Sequence, residues 1–86
     1  KAIEINPNYA NAYYNRGNTN LDLKDYYAAI SDYTKAIEIN PNFANAYNNR
    51  GVTKEKKGDL NGACADWRKA SSLGNDLATK SLRNQC

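Results

Sequence analysis

The sequence contains no histidine, and this absence removes the common arrangements for nucleophilic catalysis. A serine or cysteine nucleophile ordinarily needs a histidine base beside it, so neither a Ser-His nor a Cys-His pair can be built. The sequence also lacks a glycine-rich loop that would hold phosphate groups and any spacing typical of metal ligands. Asp32 and Glu38 are interpreted as solvated helix charges rather than an acid-base pair. We therefore predict no enzymatic activity, no metal and no cofactor.

Long apolar runs and dense charge are missing too. No apolar stretch approaches the roughly 20 residues of a membrane-spanning helix. The formal net charge is only +3, and the basic residues fall on different predicted faces instead of forming a stripe. Neither a membrane nor a nucleic-acid partner is therefore predicted. The basic residues weighed for nucleic acid are Lys24, Lys54, Lys56, Lys57, Arg68 and Lys69.

What the sequence does contain is an eight-residue stretch that occurs twice. Lys1–Asn8 and Lys35–Asn42 both read KAIEINPN, an offset of 35 − 1 = 34 residues. At that offset about 19 of 34 positions are identical between the first and second periods. A fixed period of this size is typical of stacked repeats, in which each unit needs a neighbour to cover its apolar face.

Apolar residues at spacings of three and four predict helices between the breaks. The predicted helical segments are Lys1–Ile5, Tyr9–Leu23, Tyr26–Ile39, Phe43–Lys57, Leu60–Leu73 and Asp76–Gln85. Asn8 is predicted to cap the second of these segments, and Asp25 the third. Lys24 lies where a left-handed glycine is expected, as at Gly58 in the next period. Leu77, Ala78 and Leu82 are predicted to face inward from the last helix.

The period divides the chain into one domain with four parts. They are the end of a preceding repeat at 1–8, one repeat at 9–42, a second repeat at 43–75 and a capping helix at 76–86. The chain does not begin with Met and opens inside what looks like a helix end. We therefore expect it to be the C-terminal portion of a longer array, and its localisation is not indicated.

The pattern resembles the tetratricopeptide repeat, a 34-residue helix-turn-helix unit with a W-x2-L-G-x2-Y, A-x3-F and P pattern. The matching residues are Tyr13, Gly17, Ala29, Tyr33, Ala36 and Pro41, followed by Tyr47, Gly51, Ala63, Trp67 and Ala70. The resemblance implies an all-α fold, a right-handed α-solenoid of antiparallel helix pairs with a C-terminal capping helix. Arg16 and Arg50 replace the family's leucine, and we expect their stems to pack while their heads reach a carbonyl, a carboxylate or a ring face.

The resemblance also implies a function, the binding of a partner protein's peptide segment in a concave groove lined by the first helix of each repeat. The positions that match the groove are Asn11, Tyr14, Asn15, Asn18, Asn45, Asn48, Asn49 and Val52. A primary amide both donates and accepts hydrogen bonds, so a row of asparagines suits the backbone of an extended peptide. The alternative is that these asparagines are solvated surface. One branch of the family grips a C-terminal carboxylate, and Asn18 and Asn49 match two of its sites, but Tyr14 replaces its lysine.

A structural role is the competing function. The open apolar end before the first full repeat would then stack on another copy of the chain or on further repeats, giving self-association. The two cysteines also leave alternatives. Cys64 and Cys86 each lie 11 residues from Asn75 (75 − 64 and 86 − 75), so antiparallel helices would bring the thiols together. The pair is either a disulfide or a buried Cys64 with an unpaired thiol at Cys86.

Overall fold

The computed structural model describes the backbone of residues 7–86 and side chains from Tyr9 onward, and this part of the chain forms five α-helices and no strand. The helices are α1 (Pro7–Asp22), α2 (Tyr26–Ile39), α3 (Ala44–Lys56), α4 (Leu60–Ser72) and α5 (Asp76–Gln85). The predicted all-α fold is confirmed. The bounds of α2 and α5 agree with the prediction, and those of the other helices differ by two residues at most. The predicted segment Lys1–Ile5 lies outside the described residues.

The start of α1 differs from the prediction. Pro7 is the first helical residue, a position that suits proline because its φ is already near the helical value and no N–H is left unpaired. Asn8 therefore lies inside the helix, and its predicted role as the N-cap is wrong. Pro7 and Asn8, which the period assigns to the end of a preceding repeat, are helical residues of α1 in this structure.

Three short turns share one backbone conformation. The residue with positive φ is Lys24 (62°), Gly58 (97°) or Gly74 (96°). The residue that follows accepts a hydrogen bond from a backbone N–H in the next helix and so caps it. These caps are Asp25 to Ala28 N at 3.2 Å, Asp59 to Gly62 N at 2.9 Å and Asn75 to Ala78 N at 2.8 Å. Such short connections make the joined helices antiparallel neighbours.

Gly17 and Gly51 lie where each first helix meets an aromatic ring of its partner helix. A Cβ added at Gly17 would lie 2.7 Å from Tyr33, and one at Gly51 would lie 2.7 Å from Trp67. Packed atoms do not approach so closely, so the interior has no room for a side chain at either position. Both rings are fully buried. The predicted role of the glycines in close helix packing is confirmed.

The helices pack in chain order, α1 on α2, α2 on α3, α3 on α4 and α4 on α5. Ala36 and Ile37 of α2 form a core cluster with Ala46 of α3, and this cluster joins the two helix pairs. The result is an elongated molecule of 44 × 28 × 17 Å. The right hand of the expected solenoid stays a prediction.

The last helix covers the outer side of α4. Ala78 is fully buried against the cluster around Trp67, and Leu82 packs against that cluster. Leu77, however, is 64% exposed, so its predicted inward orientation is wrong. Adjacent residues point about 100° apart on a helix, and the buried line of α5 runs through Ala78 and Leu82 instead.

A disulfide joins Cys64 of α4 to Cys86 at the end of α5, with the two Cα atoms 6.0 Å apart. Of the two alternatives for these residues, the structure contains the bridge. The link ties the free end of the last helix to the helix that it covers, so α5 is held at both its N-terminal turn and its C-terminus.

The left-handed turn predicts the effect of a substitution at Lys24. Lys24→Gly should stabilise the fold by about 1 kcal/mol, because a side chain costs roughly that much in this backbone region. Chemical denaturation measures the change. Gly58→Lys is the matched control at the equivalent turn and should destabilise the fold by a similar amount. Unchanged midpoints for both variants would contradict the strain assigned to this turn.

The disulfide predicts a dependence of stability on reduction. Opening its loop of about 23 residues should lower the free energy of unfolding by about 3 kcal/mol, because the unfolded chain regains conformational freedom. Denaturation with and without a phosphine reductant measures the difference. A Cys86→Ser variant should respond to the reductant not at all. Two alkylatable thiols in the untreated, folded protein would show that the bridge does not form.

Candidate functional site

The candidate site is the face formed by α1 and α3, the first helices of the two pairs, which touch each other along the fold. All eight predicted groove residues lie on these two helices, and they differ in exposure. Asn11, Asn15 and Asn45 are exposed, Tyr14, Asn18, Asn49 and Val52 are half-buried, and Asn48 is buried. We call the set the amide face. It combines accessible amides with others that the fold already holds in place.

One amide connects the two helices across this face. Asn49 of α3 donates from Nδ2 to the Tyr14 hydroxyl at 3.1 Å and to Asn18 Oδ1 at 2.9 Å, both on α1. Asn18 Oδ1 also accepts a hydrogen bond from the hydroxyl of Tyr33 on α2. Three helices therefore fix one set of side chains. A partner would meet groups that are already ordered, which lowers the entropy cost of binding.

Aromatic rings pack around Tyr14, one of the residues of the hydrogen-bond network. The ring of Tyr14 lies 5.9 Å from that of Tyr33 and 4.8 Å from that of Phe43, measured between centroids. Burial, and secondly the neighbouring Tyr14, raise the pKa of the Tyr33 hydroxyl above its ordinary value. Tyr33 therefore keeps its proton throughout the neutral range and remains a donor to Asn18.

The network leaves two donors without a protein acceptor among the described residues. The Tyr14 hydroxyl accepts from Asn49, and its own proton makes no protein hydrogen bond in that part of the chain. The Nδ2 group of Asn18 is equally uncommitted there, since only the Oδ1 of this residue is bonded. Both side chains are partly exposed. The centre of the amide face therefore offers neutral donors that suit a carbonyl oxygen of a partner.

The remaining residues of the face have separate environments. Asn48 is only 7% exposed and donates to Asn49 Oδ1 at 3.3 Å, while its own Oδ1 meets no donor among the described residues. Asn45 accepts from Nδ2 of Asn75 at 3.0 Å, which connects the face to the turn before α5. Val52 packs against the core cluster that contains Trp67. Asn48 and Val52 are thus less open than a solvated groove residue.

Each first helix is fastened to its second helix by a two-pronged ion pair. Arg16 donates from Nε and Nη2 to Asp32 at 2.9 and 2.7 Å. Arg50 makes the same two bonds to Asp66 at 2.9 and 2.8 Å. The planar guanidinium matches the carboxylate, so each pair sets the orientation of its first helix as well as its distance.

Further contacts complete both ion pairs. Each aspartate has one more donor, Nδ2 of Asn20 at 2.9 Å from Asp32 and Nζ of Lys54 at 3.1 Å from Asp66. The arginine heads lie over rings of their own helices, 5.3 Å from the Tyr13 centroid for Arg16 and 5.4 Å from the Tyr47 centroid for Arg50. The expected contacts of both arginines with a carboxylate and a ring face are confirmed.

The interpretation of Asp32 as a solvated charge is wrong. Asp32 is 5% exposed and Asp66 is 4% exposed, and each accepts hydrogen bonds from charged or amide donors. A sequence signal for this role does exist. Each aspartate follows an arginine by 16 residues, and this arrangement is identical in both periods. Buried carboxylates almost always need such a partner.

Comparison with protein families gives two matches in this part of the chain. Models of the tetratricopeptide repeat match residues 10–43 and residues 32–65. The chain belongs to the tetratricopeptide repeat family. The first match begins in α1 and the second begins inside α2. The two models therefore place the start of the repeat in different helices of the pair. A comparison with curated protein sequences finds no match.

Membership of the tetratricopeptide repeat family has a general functional meaning. These repeats mediate protein-protein interactions and are typically not catalytic. Among the described residues, no group of three or more histidine, cysteine, aspartate or glutamate side chains could hold a metal ion. None of the five helices combines the length and hydropathy that crossing a bilayer requires.

The two ion pairs predict unequal effects of the same substitution. Asp66→Asn should lower the free energy of unfolding by about 3 kcal/mol, because it leaves two largely buried cations, Arg50 and Lys54, without their counter-charge. Asp32→Asn should cost less, since the Arg16 side chain is 65% exposed, against 17% for Arg50, and water screens it. Chemical denaturation measures both variants. Equal losses would contradict the difference in burial.

Proposed function

We propose that the chain binds an extended peptide segment of a partner protein along the amide face. The observation that supports this most directly is the hydrogen-bond network centred on Asn49, which orders Tyr14 and Asn18 across two helices. Side chains that serve only as solvated surface need no such fixed arrangement. The network holds two donors in place and leaves them without a protein acceptor among the described residues.

The chemistry of the free groups indicates what they would contact. Backbone carbonyl oxygens of an extended peptide recur about every 3.3 Å along the chain, whatever its side chains are. The Tyr14 hydroxyl and Asn18 Nδ2 would donate to such oxygens. Asn11 and Asn15, both exposed on α1, would supply further donors and acceptors. This mode of binding favours an extended backbone and tolerates varied side chains.

The same donors distinguish a backbone carbonyl from a terminal carboxylate. Both Tyr14 and Asn18 are neutral donors, and the position of Tyr14 carries no lysine. A carboxylate gains most from charged donors, which make hydrogen bonds roughly twice as strong as neutral ones. We therefore propose internal peptide segments, rather than a free C-terminus, as the ligands of this face.

Self-association is the alternative function. It would use a second surface on α1, an open depression of about 290 Å³ lined by Tyr9, Ala12, Tyr13 and Arg16. In α3, the equivalent surface is covered by Ala36 and Ile37 of α2. Those two residues are buried inside every copy of the chain, so a second copy does not offer them to this depression. Peptide binding is the better supported of the two functions.

Peptide binding predicts a loss of affinity when the amide face is altered. Peptides selected from a displayed library of unstructured sequences would be titrated by calorimetry against the wild type and an Asn15→Ala/Asn49→Ala variant. The variant should bind about tenfold more weakly or worse, because it loses one exposed amide and the residue that orders Tyr14 and Asn18. Amidating the peptide C-terminus should change the affinity little.

A matched control separates the groove from general effects. Asn61→Ala removes an exposed amide from α4, outside the amide face, and should leave the affinity unchanged. Circular dichroism should show that all variants keep their helices. Selected peptides that bind the Asn15→Ala/Asn49→Ala variant as tightly as the wild type would argue against this site, as would a failure to select any peptide.

A further inference from the structure

The helix α5 cannot hold its own structure without α4. It has 10 residues, fewer than an isolated helix needs to be stable in water. Of its apolar side chains, Ala78 is buried, Leu82 is half-buried and Leu77 is 64% exposed. The helix therefore depends on whatever joins it to α4.

The polar contacts of α5 with α4 are weaker than those within the first two helix pairs. In each of those pairs an arginine and an aspartate form an ion pair. The charged residues of α5 form no ion pair with the described part of the chain. A neutral hydrogen bond joins Thr79 of α5 to Ser71 of α4 at 2.6 Å. Because neutral hydrogen bonds are weaker than charged ones, the apolar contacts and the disulfide carry most of the attachment.

The disulfide holds α5 at the end opposite to its turn. Asn75 caps the N-terminal end of this helix, and Cys86 follows its last helical residue. With the bridge to Cys64 intact, an undocked α5 would still be tied to α4 in a closed loop. Closing a loop of roughly 15 residues favours the docked state by about a hundredfold.

The two bridged residues differ in exposure. Cys86 is exposed, whereas Cys64 is half-buried on α4. A disulfide is reduced when a thiolate reaches one of its sulfur atoms, so access decides which sulfur is attacked. An external thiol therefore meets the sulfur of Cys86 first, without any unfolding of α4.

We propose that this disulfide is a site of thiol-disulfide exchange with an external dithiol, and that its reduction releases α5 while α1 to α4 stay folded. The first thiolate of the dithiol attacks Cys86 Sγ and displaces Cys64 as a thiolate, which takes a proton from water. The second thiolate attacks the dithiol sulfur of the mixed disulfide. A cyclic disulfide forms and Cys86 leaves. The protein gains the two electrons and two protons that the dithiol loses.

The contacts that hold the first four helices together do not involve α5. The ion pairs of Arg16 and Arg50 join α1 to α2 and α3 to α4, and both glycine-ring contacts lie within these pairs. Release of α5 instead uncovers one side of the cluster around Trp67, which Ala78 and Leu82 cover. The change is therefore local.

Hydrogen exchange tests the release. After complete reduction by dithiothreitol, the amides of residues 79–86 should exchange about a hundredfold faster, the factor by which the closed loop favours docking. Amides of α2 and α3 should keep their rates. Unchanged exchange in α5, equal acceleration in all five helices, or a bridge that the dithiol opens only in denaturant would each overturn the proposal.

Matched variants and fluorescence give a second readout. Trp67 is the only tryptophan of the sequence, so its quenching by acrylamide reports on this cluster alone. Reduction should increase the quenching, and Cys86→Ser should show the increased level with or without the dithiol. Asn84→Ser, at a nearby exposed position of α5, should respond to the dithiol as the wild type does. Equal quenching in the oxidised wild type and the Cys86→Ser variant would contradict the release of α5.

Discussion

A glycine backbone pressed against an aromatic ring is the contact on which the rest of the fold depends. Because Gly17 has no side chain, the ring of Tyr33 packs directly against the backbone of α1. Gly51 allows the ring of Trp67 to pack against α3 in the same way. The close approach also brings the Tyr33 hydroxyl to Asn18, where it joins the network of the amide face. The contact between Gly17 and Tyr33 therefore has two effects. It allows α1 and α2 to pack closely, and it places the Tyr33 hydroxyl where it orders Asn18 in the candidate site.

The two repeats use this contact differently. Where the first repeat has Asn18 and Tyr33, the second has Val52 and Trp67. Trp67 has no hydroxyl group that could donate at this point, and Val52 has no oxygen that could accept. The second repeat therefore lacks both the donor and the acceptor of the hydrogen bond that Tyr33 makes to Asn18. The hydrogen bonds that join Tyr14, Asn18 and Tyr33 consequently lie on the α1 side of the amide face, and Asn49 donates to them from α3. Under the proposed function, the carbonyls of a peptide would meet α1 while an apolar side chain would suit the neighbourhood of Val52.

Much of the fold could be predicted from the sequence, because local chemistry decides it. The helix ends at Asp25 and Gly58 follow from capping and left-handed turns, and the positions of Gly17 and Gly51 follow from their spacing to aromatic residues. The predictions of exposure were wrong where the neighbours of a residue in the fold, and not its local sequence, decide whether it is buried. Leu77 is exposed because Ala78 occupies the buried line of α5, and Asp32 is buried because Arg16 reaches it from the neighbouring helix. The hydrogen bonds of Asn49 depend on distances across two helices, which the sequence does not contain.

Identical residues have different environments because their positions in the stack differ. Arg16 and Arg50 make the same bonds to an aspartate, yet α2 lies against α3 and covers only the second arginine, through Thr34. The energy of an ion pair falls as water gains access to it, so the same pair contributes less at Arg16, whose side chain is 65% exposed, than at Arg50, whose side chain is 17% exposed. Covering Ala12 and Arg16 would give the first helix pair the environment that the second already has. In a stack of this kind, the stability of each pair is therefore set by its neighbour as much as by its own residues.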